Sequence, residues 1–147
     1  MRLSICTAAV ALVVLAGCGG SRGIPADPYD LSGTWAGEGR QWNTMDRTGD
    51  PDDEWPLRVT VAGAGSSLSG SVEYPTLQCG GTLEYVGPNS DPGAQAGDAV
   101  FRETITYGTE NCATGGTVLL RRSGRDMIYA WAIDGSVTTA AARLERE

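Results

Sequence analysis

From Leu31 to Glu147 the apolar residues fall in short runs, several of them alternating with polar residues, and Gly, Pro, Asn, Asp and Ser break the runs at fairly even spacing. A period of two places successive side chains on opposite faces of an extended strand, so this pattern allows little other than β-structure. The runs are Gly33 to Trp42, Trp55 to Ala62, Leu68 to Tyr74, Thr82 to Val86, Val100 to Tyr107, Thr117 to Arg122, Met127 to Ile133 and Val137 to Leu144. In the second run Leu57, Val59 and Val61 alternate with Arg58 and Thr60. No stretch carries an i, i+3, i+4, i+7 apolar pattern long enough for a substantial helix. Ala140-Ala141-Ala142 is the one place where a helix competes with a strand.

Eight consecutive strands joined mostly by short turns predict an all-β, antiparallel meander. Such a sheet hides its edges by closing into an up-and-down barrel; a two-sheet β-sandwich is the alternative. The chain has 21 Gly and 7 Pro, which suits tight turns rather than long helices. Ser123-Gly124-Arg125-Asp126 and Asp134-Gly135 are the clearest turn signals.

The first thirty residues read differently. Met1-Arg2 is followed by a mostly apolar stretch, Leu3 to Leu15, too short to span a bilayer. It ends in Leu15-Ala16-Gly17-Cys18, which resembles the lipobox of bacterial lipoproteins. The resemblance implies cleavage before Cys18 and attachment of acyl chains to that cysteine. Two or three chains would hold the protein stably at a membrane, where one would be marginal. The expected organisation is a cleaved signal peptide over residues 1–17, a lipidated N-terminus and flexible linker over 18–30, and a β-barrel domain over 31–147. Localisation is then extracytoplasmic and lipid-anchored. The linker assignment rests on the Gly, Ser and Pro content of Gly19 to Tyr29.

With Cys6 removed and Cys18 acylated, Cys79 and Cys112 remain as a possible pair, and in an exported protein they are expected to form a disulfide. The formal charge of −7 becomes −8 once Arg2 is removed, so nucleic acid is not an expected partner and the membrane is reached through lipid rather than through charge. The chain has no histidine, which removes Ser-His-Asp and Cys-His chemistry and His-ligated metals. Every basic residue is arginine, a bias that hints at a G+C-rich genome such as an actinobacterium's. No cofactor and no enzymatic activity are expected.

Gly33-Thr34-Trp35 on the first strand resembles the Gly-x-Trp of the calycin barrels, the lipocalins, fatty-acid-binding proteins and avidins. In those barrels an arginine near the last strand packs over the tryptophan. The resemblance implies that Arg143 lies against Trp35 at the closed end of the barrel. A vaguer likeness, to a paired-cysteine pattern of actinobacterial extracellular domains, covers Tyr74 to Gly81 and Asn111 to Gly116; it implies no activity.

Candidate functional residues are few. Asp46, Asp50, Asp52, Asp53 and Glu54 form an acidic loop without the residue order of a calcium-binding hand, and read as a solvated loop. Glu103 stands out because Phe101, Ile105 and Tyr107 share its strand face, the more apolar of the two. A carboxylate facing inward must be paired, protonated or solvated by a cavity. It is therefore a ligand-binding group inside the barrel, with Tyr107 and Trp131 beside it, or a structural ion pair with an arginine, or a rim residue. Tyr129 and Trp131 alternate with Ala130 and Ala132, which suits core packing or a stacking platform. Arg121, Arg122 and Arg125 cluster at a turn and read as a solvated tip. The expected function is a non-enzymatic module holding a small apolar or amphipathic ligand at the cell envelope. The alternative is a protein-directed role, as an inhibitor of an exported hydrolase or an accessory subunit of an envelope complex. A lined cavity near Glu103 would favour the first.

Overall fold

A half-buried strand has two unpaired edges and one apolar face, and both are satisfied at once if a meander curls until its last strand meets its first. The computed structural model, which describes residues 30–44, 46–90, 95–133 and 136–147, has this arrangement. Eight antiparallel strands, β1 (Gly33–Trp42), β2 (Asp53–Ala62), β3 (Ser69–Tyr74), β4 (Cys79–Pro88), β5 (Ala99–Tyr107), β6 (Gly115–Ser123), β7 (Asp126–Ala132) and β8 (Thr139–Arg146), pair in sequence order. β8 returns to pair with β1, from Trp35 opposite Arg146 to Trp42 opposite Thr139, and so closes an up-and-down barrel. The sandwich alternative is thereby excluded. The alanine run is strand, paired on both sides, with β1 and β7.

Alternation sets inside and outside. Trp35 on β1, Leu57, Val59 and Val61 on β2, Phe101 on β5, Val118 and Leu120 on β6, Met127 on β7 and Leu144 on β8 are buried in one core. These large side chains crowd the end where β1 begins. Toward the other end the inward positions of β1 and β8 are small: Gly37, Gly39, Ala140 and Ala142. One half of the barrel is therefore filled and the other has room left in it.

The filled end is also capped. Leu31 is buried across it, and its carbonyl accepts the Trp35 indole N–H at 2.9 Å. Trp35 has no exposed surface, and two guanidinium groups, those of Arg122 and Arg146, lie over its ring at 4.6 and 4.7 Å from the centroid. The arginine expected at this place, Arg143, is not there. It is one position out of phase with Leu144 on β8, so it points outward, is exposed, and pairs with Asp126 at 2.5 Å. The strand extends two residues beyond the expected Leu144, and the next inward position is Arg146. The period of the strand, rather than nearness to the chain end, decides which arginine reaches the tryptophan.

Two irregularities in register lie between β4 and β5. Gly80 pairs with Tyr107 but Gly81 pairs with Ile105, which leaves Thr106 as an extra residue on β5. The bulge inverts the phase of everything after it. A second extra residue, Val86 on β4, is exposed for the same reason. Between β6 and β7, Gly124 supplies the positive φ of 65° that the expected two-residue turn needs.

Candidate functional site

The hollow half of the barrel holds a cavity of about 270 Å³ at the end where β1 leaves and β2 enters. Its lip carries Gln41 and Asp53, which pair across those two strands, and Glu54, which pairs with Arg40 at 3.0 Å. Its walls are aromatic: Trp55 from β2, Tyr74 from β3, Tyr129 and Trp131 from β7. Trp55 and Tyr74 meet edge to face at 6.5 Å. The indole N–H of Trp55 is buried and finds no acceptor among the described residues. Trp55 lies against Gly39, where an added Cβ would come within 2.9 Å of the indole nitrogen, so the small residue makes space for the ring.

Glu103 sits in the wall on β5, only 3% exposed. Both of its oxygens are bound. The Tyr74 hydroxyl donates to Oε1 at 2.6 Å, and the Trp131 indole N–H donates to Oε2 at 2.5 Å. Tyr74 and Tyr129 hydroxyls are 3.0 Å apart. Since Tyr74 has spent its one proton on Glu103, Tyr129 donates to the Tyr74 oxygen. Three donors thus point in one direction, Tyr129 to Tyr74 to Glu103 from one side and Trp131 to Glu103 from the other.

Neither donor sits on a strand adjacent to β5. Trp131 on β7 reaches over β6, and it does so across Gly116, the residue paired with Glu103. A Cβ at Gly116 would fall 2.6 Å from the indole nitrogen, so only glycine lets the ring pass. Tyr74 on β3 reaches over β4, where Gly81 brings that strand so close to β5 that an added Cβ would meet the Thr104 carbonyl oxygen at 1.9 Å. Opposite the buried carboxylate stand Gly116 on β6, over which the Trp131 ring passes, and Leu83 on β4.

Burial pushes the Glu103 carboxyl above its usual range, and the hydrogen bonds from Tyr74 and Trp131 only partly oppose this. Burial first, and the neighbouring carboxylate as well, raise the Tyr74 and Tyr129 hydroxyls far above the ordinary phenol value, so both stay neutral. Of the alternatives open for Glu103, the ion pair is not the one seen: no arginine among the described residues forms an ion pair with it.

Of the other residues considered from sequence, Trp131 is in the cavity and Tyr107 is not. The bulge at Thr106 turns Tyr107 out of the barrel, where its ring covers Gly80 and stays half exposed. Cys79 and Cys112 form a disulfide with Cα atoms 6.3 Å apart. That bond ties the loop after β5 to the start of β4, and it sets Asn111, Cys112 and Ala113 at the cavity mouth. In the acidic loop Asp46 accepts from Thr48 and Asp52 accepts from the Asn43 N–H, so these carboxylates shape turns. No three acids gather into a cation-sized group among the described residues. Cys18 and the lipobox lie outside the described residues.

Sequence reasoning missed Tyr74, Trp55 and Gln41. The signal was present for Tyr74: alternation from Val72 places it inward, and a buried phenol must bond to something. Compared with known proteins, the chain matches no family model, and no curated protein matches it in sequence.

Proposed function

We propose that this protein is a non-enzymatic binding module of the cell envelope, tethered through lipid on Cys18, which holds a small amphipathic molecule in the open half of a calycin-like barrel. The observation that carries the reading is the cavity itself, aromatic-walled and with a preorganised carboxylate in its side. A solid interior would have favoured the protein-directed alternative, and this interior is solid at one end only. At about 270 Å³ the space lies just below the usual range of ligand pockets, so it suits a compact molecule rather than a long acyl chain. The carboxylate and rings are carried on strands of the barrel rather than on loops, as a recognition surface requires. The disulfide agrees with an oxidising compartment.

The reading is tested by native mass spectrometry of the protein purified from its own membrane. A bound small mass that disappears in a variant with a blocked cavity (Ala140→Phe) is the expected result. Protein that carries no bound small molecule but co-purifies with a stoichiometric protein partner overturns it in favour of the protein-directed role.

A further inference from the structure

We propose that the polar end of the ligand is a cation, so that the barrel takes a small organic ammonium compound with an apolar body. The inference rests on the binding-module reading above and gives the chemical class of its ligand.

Hydrogen-bond direction and charge in the cavity wall select the ligand's polar end. Every wall donor near the carboxylate is already committed: the Tyr74 proton and the Trp131 N–H to Glu103, and the Tyr129 proton to Tyr74. Around Glu103 the wall is left with acceptor sites, the free lone pairs of the carboxylate and of the phenol oxygens; among the four rings the uncommitted donor is the Trp55 indole N–H, on β2. A molecule docking there must bring its own protons. The cavity lining holds three carboxylates, Asp53, Glu54 and Glu103, and no arginine. Glu54 is neutralised in part by Arg40, but Asp53 at the lip has no such partner in the lining. Glu103 is buried with only neutral donors around it, so its counter-charge does not come from the lining of the cavity. Four aromatic rings complete the surround, and ring faces attract ammonium groups, most strongly where water is scarce. An anion would meet three carboxylates and no cation, with only neutral donors such as the Trp55 indole N–H to receive it; a neutral alcohol could donate once but would leave the charge unmatched.

The test uses calorimetry on the purified full-length chain with three probes of like size: 2-phenylethylammonium, 2-phenylethanol and phenylacetate, at neutral pH. The cation should bind at least tenfold more tightly than either other probe. Glu103→Gln should abolish that preference while leaving 2-phenylethanol binding nearly unchanged. Asp53→Asn, an exposed lip substitution that leaves the core intact, should weaken the cation two- to threefold, and serves as the second variant if Glu103→Gln fails to fold. Equal or tighter binding of the alcohol or of phenylacetate overturns the cation assignment and leaves the binding module standing. Failure of all three to bind overturns both.

Discussion

At the residue scale the molecule turns on which way single side chains point. Glu103 is held by neutral donors and raised by burial, and this has a consequence for stability. The folded state takes up a proton at Glu103 more readily than the unfolded chain, whose glutamates titrate near ~4.3. Stability should therefore fall as pH rises from that value through the raised one, the reverse of a salt-bridged carboxylate. Tyr74 and Tyr129, which face the group, remain neutral throughout, and Asp53 and Glu54 are the other acids in the lining. Urea unfolding at pH 4.5 and pH 8 should show the wild type losing its advantage over Glu103→Gln as pH increases. A constant difference would mean that Glu103 is solvated. In Glu103→Gln one donor, Tyr74 or Trp131, faces an amide nitrogen, at a cost of about 1–3 kcal/mol that the relief of burying a charge offsets. The closed end gives a second expectation. Trp35→Ala should cost about 3–5 kcal/mol, since a fully buried indole and its bond to Leu31 are removed. Arg143→Ala should change stability by less than about 0.5 kcal/mol, because its pair with Asp126 is on the surface. Arg146→Ala should cost more, because it strips one cation from the Trp35 ring. Thermal melts of the three variants rank them directly.

At the scale of elements, glycines and a bulge do what the alternating pattern cannot. Gly116 on β6 is where Trp131 crosses to Glu103. Gly116→Ala should displace the indole and break its bond to Oε2, costing about 1–3 kcal/mol by overpacking and leaving the buried carboxylate short of a donor. A red shift of the tryptophan emission would report it; an unchanged spectrum and unchanged stability would show that the ring has another route. The disulfide belongs to this scale too. It joins β4 to the loop after β5 and closes a 33-residue separation. On the chain-entropy account that is worth about 3–4 kcal/mol. Cys79→Ser with Cys112→Ser should lower the denaturation midpoint accordingly, and should also free the loop that carries Asn111 and Ala113 at the mouth. Ligand affinity would then fall by more than stability alone explains, which titration of the folded double variant would show.

For the whole molecule, the two ends of the barrel are unlike. The chain enters at the closed end, through Asp30 to Ser32, where Arg146 donates to the Ser32 carbonyl at 2.6 Å. The mouth is at the opposite end, among the turns that follow β1, β3, β5 and β7. If Cys18 carries lipid, the point of membrane attachment is only eleven residues, Gly19 to Tyr29, away in sequence from the capped end. The capped end then faces the membrane and the mouth faces away from it. Spin labels at Ser66, in the 3₁₀ turn beside the closed end, and at Thr109, in the loop by the mouth, distinguish the orientations on vesicles. Lipid-borne quenchers should act more strongly on Ser66; a stronger effect at Thr109 would invert the arrangement.

What the sequence determined by itself was local: the period of two, the turns, and hence eight antiparallel strands with Trp35 and Glu103 on inward faces. These follow because a strand's pleat and a turn's φ depend on residues a few positions apart. The readings that failed were those that depended on phase or reach across the sheet. Tyr107 shares its parity with Glu103, and a single extra residue, Thr106, reverses it. Arg143 and Arg146 are both close to the chain end, and the true end of β8 decides between them. The partners of Glu103 come from β3 and β7, two strands away on either side, and Trp131 passes over Gly116, a glycine whose purpose shows only when the sheet is curled. Closure brings residues 28 and 29 positions apart into one hydrogen-bonded group, and it decides which half of the interior is filled. No local pattern encodes that volume, because it is the remainder after side chains from all the strands have been placed in one shared space.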